Sequence, residues 1–91
     1  MTDETEKLVA AALIRDGVVE HRGFREHWRI RAALGDEDPT VRRMGDEEGF
    51  WTSRDRFVNR SEARAIGVTS GQLSPMWAKA TRAVLSSDIN W

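Results

Sequence analysis

The chain has 91 residues, with 14 Lys/Arg against 15 Asp/Glu, two His, no Cys and a formal net charge of −1. That length makes one domain, residues 1–91, with a single core and little to spare. No Cys means no disulfide framework, no thiol catalysis and no thiolate metal site. Two His are too few for a His-rich zinc site without carboxylates or a second subunit, so neither a metal nor a cofactor is expected.

The balance of charge is uneven along the chain. Residues 1–48 hold eight Lys/Arg against twelve Asp/Glu, and residues 49–91 hold six against three. Twelve of the basic residues are Arg, whose planar fork suits carboxylate or phosphate. A GC-rich genome produces the same bias, and so near-neutral a total excludes a general nucleic-acid stripe. No apolar run approaches the roughly 20 residues that span a bilayer. The start, MTDETEKL, is acidic where a signal peptide is basic and then apolar, so a soluble, intracellular protein is expected.

In chain order, residues 1–6 read as a polar tail. Lys7 to Arg15 is an apolar run, and Asp16-Gly17 separates it from Val18-Val19-Glu20-His21. Asp-Gly between two such segments is a strong hairpin signal, because both central residues of a type I′ turn need positive φ. Leu13 and Arg15 should face away from Ala12 and Ile14. Phe24, His27, Trp28, Arg31 and Leu34 then recur with helical spacing. They predict a helix over about residues 23–34, ended by Gly35, with a Phe24–Trp28 stripe packed on the hairpin. Residues 36–48, DEDPTVRRMGDEE, read as a mobile acidic loop.

Residues 49–65, GFWTSRDRFVNRSEARA, read as a short aromatic hairpin feeding a capped helix. Asn59 stands at the N-cap and Glu62 three residues on, the spacing of a capping box. The helix should run to about Ser70, with Gly71 past its end. Ser74-Pro75 predicts a last short helix, Pro75 fitting its first position. The expected fold is α+β: a small antiparallel sheet made of the two hairpins, with about three helices on one face. With so small a core a homo-oligomer is expected, its binding site falling at the interface.

Ala11 to Arg15, then Gly23, Arg25 and His27, form the first pieces of a recognisable pattern. Its core is Gly49, Phe50, Thr52, Arg56, Phe57, Val58, Asn59, Arg60, Glu62 and Ala63, followed by Gly71-Gln72 and by Ser87, Asp88 and Trp91. Together they resemble a family of small proteins of unassigned function encoded by bacteriophages and prophages. The sequence departs from that family at Asn59 (usually Asp), at Gly67 (usually Ala) and at Asp88-Ile89-Asn90 (usually Glu-Asp-Leu). The resemblance implies a counter-defence role, since some phage proteins of this size sequester nucleotide immune signals and others block a host enzyme.

Arg56, Arg60 and Arg64 bracket a predicted helix start, where an anion is favoured. Phe50 or Trp51 would supply a stacking wall, and Asn59 caps the helix. Arg25 and His27, with Arg22 nearby, repeat the arrangement at the other predicted helix. The expected ligand site is therefore Arg25, His27, Phe50, Trp51, Arg56, Asn59 and Arg60, and the expected function is sequestration of an anionic, nucleotide-like ligand. The alternative is a protein-interaction inhibitor whose acidic loop or Trp91 engages a host protein. Against each residue stands a plainer reading. On it Arg56 and Arg60 pair with Glu62 or the loop, and His27 is a hydrogen-bonded core residue. Trp28, Trp51 and Trp77 are then core, and Trp91 docks on its own core or on a partner subunit. Asp88 would then bond Arg25 or Arg56. No nucleophile elbow accompanies Ser86, Ser87, His21 and Asp88, so no enzyme and no catalytic residue are expected.

Overall fold

A computed structural model describes residues 5–91, so residues 1–4 of the expected tail lie outside the described residues. Four strands form one antiparallel sheet in the order β2-β1-β3-β4: β1 Leu8–Arg15, β2 Val18–Glu20, β3 Glu47–Thr52 and β4 Phe57–Asn59. The β1–β2 turn is the one its Asp-Gly step calls for, with Asp16 at φ 53° and Gly17 at φ 77°. The β3–β4 turn lacks glycine, and Asp55 takes the left-handed conformation instead, at φ 57°.

Register sorts the side chains into two faces. Ala11 opposes Phe50, Phe50 opposes Val58, and Leu13 opposes Glu48, so these share the inner face. Ala12 opposes Gly49, and Ala10, Trp51 and Phe57 line up on the outer face. Gly49 is required there, because a Cβ would come within 2.2 Å of the Val58 carbonyl oxygen and 2.5 Å of the Phe57 ring.

Two α-helices cover the inner face. The first, α1, is His27–Ala33, with Gly35 in the left-handed conformation just beyond it, and it buries His27, Ile30 and Arg31. It starts four residues later than the spacing predicts. His21 to Phe24 form a turn, with Gly23 at φ 76°, and the Phe24 carbonyl accepts from the Ala11 amide at 2.7 Å. Phe24 and Leu34 do pack with Ala11, Leu13 and Ile30, but Trp28 is 45% exposed and leaves the expected stripe.

The second helix, α2, is Arg60–Ser70. Its capping box is complete: the Asn59 side chain accepts from the Glu62 amide at 2.8 Å, and Glu62 accepts from the Asn59 amide at 3.0 Å. Gly71 closes it in the left-handed conformation. Ala63 then packs with Leu8, Phe50, Val58, Leu73, Val84 and Ile89.

The third expected helix is not an α-helix. Pro75–Lys79 forms a 3₁₀ turn, Ala80 is extended, and Ser86–Asp88 forms a second 3₁₀ turn. The segment between them stays non-helical because its carbonyls are used elsewhere. Arg64 donates to the Arg82 carbonyl at 2.8 Å and Arg60 to that of Val84. Extended, the chain brings Val84 and Ile89 into the core. Gln72 completes the closure: its amide group accepts from the Leu8 N–H at 2.8 Å and donates to the Leu8 carbonyl at 2.7 Å, while its own carbonyl accepts from Asn90.

The acidic segment is tied down at both ends. Arg15 donates to Asp36 at 2.7 and 2.9 Å and to Asp46 at 2.9 and 2.7 Å, and Asp46 is only 4% exposed. Glu47 and Glu48 already belong to β3. The tip between, with Val41 and Met44, is exposed. Among the described residues no helix is long and apolar enough to cross a membrane.

Two outcomes test this construction. Asn59→Ala should cost about 1 kcal/mol in chemical denaturation and Asn59→Asp almost nothing; equal midpoints for Ala and wild type would remove the cap from the account. Arg15 holds the Asp36 and Asp46 carboxyls below the ordinary aspartate range. Depressed folded-state values mean that the unfolded chain binds more protons. This contribution is therefore complete above about pH 4 and is lost as pH falls further. In Arg15→Met the two carboxylates lose the guanidinium between them, Asp36 keeps the exposed Arg43 at 3.6 Å, and acid relieves the remaining repulsion. Its melting temperature should be lower at neutral pH and should fall less steeply on acidification than that of wild type.

Candidate functional site

The first residue of α1 and the first residue of α2 line one open cleft of about 330 Å³. His27, Trp28 and Arg31 come from α1, Glu48 from β3, and Arg60 from α2. Thr40 and the Leu85–Ser87 segment close its sides. Three elements distant in sequence thus meet because the inner face of the sheet draws both helices onto Phe50.

The floor of the cleft is a charge cluster. Glu48 accepts from Arg31 through one carboxylate oxygen and from Arg60 Nη2 through the other, the latter at 2.8 Å. Arg31 also donates to the Pro39 carbonyl. The side chains of Arg31 and Glu48 are 7% and 12% exposed, and that of Arg60 is 21% exposed. Burial works to raise the Glu48 carboxyl, but His27 when protonated in acid and the two guanidinium groups hold it below the ordinary glutamate range. It is therefore a carboxylate at pH 7, and two positive charges meet one negative.

His27 is the wall between this cluster and the core. Its Nε2 donates to the Gly49 carbonyl at 2.7 Å, which fixes the proton on Nε2, since a carbonyl only accepts. Its ring stands edge-on to Phe50 with centroids 5.4 Å apart. Burial lowers its pKa, with the Gly49 bond opposing, so the ring is neutral at pH 7. The rim carries the apolar side chains: Trp28 is 45% exposed and Leu85 48%.

Of the seven residues expected from sequence, two line the cleft, His27 and Arg60, and two more belong to the packing around Phe50. Phe50 is fully buried beneath, with the Arg60 guanidinium 5.8 Å from its ring, so its face is turned to the core and not to a ligand. Arg25 is exposed and lies 5.6 Å from the Trp91 ring, which itself leans on Phe50. Trp91 thus docks on its own core.

The other three are elsewhere. Arg56 is held by Glu6 through two bonds of 2.8 Å, and Glu62 lies 4.0 Å away. Arg56 and Thr52 together pull the Glu6 carboxyl down to about 2. Trp51 is on the outer face, stacked on His21 at 4.3 Å and 13°. Asn59 is occupied by its cap. Asp88 pairs with Arg82, at 3.0 and 3.1 Å, and not with Arg25 or Arg56.

Arg31, Glu48 and Trp28 are among the cleft residues that residue-by-residue reading leaves out of the site. Arg31 had a signal, being an Arg on an otherwise apolar helical stripe. Glu48 had none, since it ends an acidic run whose other members are solvated or belong to Arg15. Among the described residues no group of three or more His, Asp or Glu is placed to hold a metal ion.

A lowered His27 pKa means that protonation favours the unfolded chain, so stability should fall as pH drops through about 6.5. NMR titration should find the His27 midpoint below 6.5; a midpoint at or above 6.5 would contradict its placement.

A family model described as phage T4 y16D protein matches residues 7–91. No curated protein and no solved structure matches the chain.

Proposed function

The chain belongs to the phage T4 y16D protein family, and from that premise we propose that it is a phage counter-defence protein that sequesters an anionic, nucleotide-like ligand in the cleft between α1 and α2. One observation carries this reading: Arg31 and Arg60 converge on a single carboxylate at the floor of an open cleft, leaving one excess positive charge. An Arg has five N–H donors, and Arg31 and Arg60 each spend only two on bonds described above, so donors remain for a phosphate or carboxylate. Trp28, half out of the fold on the rim, offers a flat face for a base, and the hydroxyls of Thr40, Ser86 and Ser87 suit a sugar.

The second reading, an inhibitor that engages a host protein, draws on the same rim. Trp28 and Leu85 are exposed beside Arg side chains, and Trp and Arg are the residue types that dominate protein interfaces.

A thermal-shift panel of mono-, di- and cyclic nucleotides separates the two. A ligand at 100 times its Kd stabilises by about 2.7 kcal/mol, which raises Tm by several degrees in a chain of this size. Trp28→Ala, which removes an exposed side chain, should leave the free protein's Tm unchanged and weaken the best nucleotide about tenfold. A flat panel would overturn the nucleotide reading and favour the protein partner.

A further inference from the structure

We propose that Glu48 is a built-in competitor for the ligand anion, and that binding proceeds by exchange: the ligand's phosphate or carboxylate takes the place of the Glu48 carboxylate between Arg31 and Arg60. The proposal rests on the cleft being the ligand site and adds how that site is guarded and filled.

Three features of the cluster lead to it. First, Glu48 does not chelate one guanidinium; it spans two, giving one oxygen to each. A tetrahedral phosphate bridges two Arg in the same manner, so the carboxylate occupies the position that a ligand anion would take. Second, each guanidinium is fixed without the help of Glu48. Arg31 is 6% exposed and is anchored by the Pro39 carbonyl, and Arg60 is anchored by the Val84 carbonyl. The pair therefore keeps its geometry when the carboxylate leaves. Third, Glu48 sits on the inner face of β3 opposite Leu13, between an apolar core and a cleft open to water. It lines that cleft, where a hydrated carboxylate is stable.

Leaving Arg31 alone in that position would be costly, because a buried charge without a partner is penalised heavily. Glu48 removes that penalty in the free protein. The same contact obliges every anion to compete with it, so weak single-charge anions such as chloride are excluded. Polyphosphates and ligands that also stack on Trp28 are selected. The ligand class that follows is a nucleotide with at least one phosphate dianion, or two phosphate groups in series.

Calorimetric titration of pyrophosphate and AMP into wild type and Glu48→Gln tests the exchange. Gln keeps the shape and an acceptor but removes the competing charge, so both probes should bind the variant at least about tenfold more tightly. Equal or weaker binding by the variant, with wild type still binding, would overturn the exchange and leave the cleft as the ligand site. No binding to either protein would overturn both. Should the variant fail to fold, the wild-type protein decides: the ¹³Cδ resonance of Glu48 should move and saturate with pyrophosphate and stay fixed with equal chloride. A resonance unmoved at saturating pyrophosphate would also overturn the exchange.

Discussion

Phe50 is the contact on which the rest depends. It is fully buried at the middle of β3, between Ala11 on one side and Val58 on the other. The edge of His27 from α1, the Arg60 guanidinium from α2 and the terminal Trp91 all close on its ring. A large aromatic contributes more buried area than any aliphatic in a core this small, and its edge and face attract different partners. Because Glu48 lies two residues earlier on the same face, His27 and Arg60, drawn onto Phe50, are also drawn over Glu48. The cleft is a consequence of that single packing centre.

The charges follow from the same geometry. An Arg-rich chain of near-neutral total spends much of its guanidinium inside itself: Arg15 on two aspartates, Arg56 on Glu6, Arg82 on Asp88, Arg64 on a carbonyl. Each of these bonds ties together parts of the chain that local structure leaves unconnected. Such pairs specify arrangement more than they add stability, since desolvation offsets much of their attraction. The Arg31–Glu48–Arg60 cluster differs in two respects. It has two cations to one anion, and it faces a cleft instead of a sealed contact.

How much was legible in the sequence tracks the range of the interactions. The Asp16-Gly17 turn, the Asn59–Glu62 capping box and the stops at Gly35 and Gly71 are written within a few residues, and each was readable. The carboxyl-terminal segment was not. Pro75 signals a helix start locally, but whether a helix continues depends on Arg60 and Arg64 taking carbonyls 24 and 18 residues away. The acidic segment read as a free loop because its anchors, Asp36 and Asp46, meet an Arg 21 and 31 residues earlier. For the site, the two basic helix starts were visible in the residues, and His27 and Arg60 do line one cleft. That Arg31 and Glu48 form it, while Arg56, Trp51 and Asn59 are spent elsewhere, depends on register and packing.

The central claim is that the α1–α2 cleft is where an anion binds. A crystal structure of the wild-type protein grown with AMP addresses it most directly. If the claim holds, the phosphate lies between Arg31 and Arg60, the base lies against Trp28, and the Glu48 side chain has turned out into the cleft. A nucleotide bound at any other surface, with Glu48 still bridging the two guanidinium groups, would contradict it.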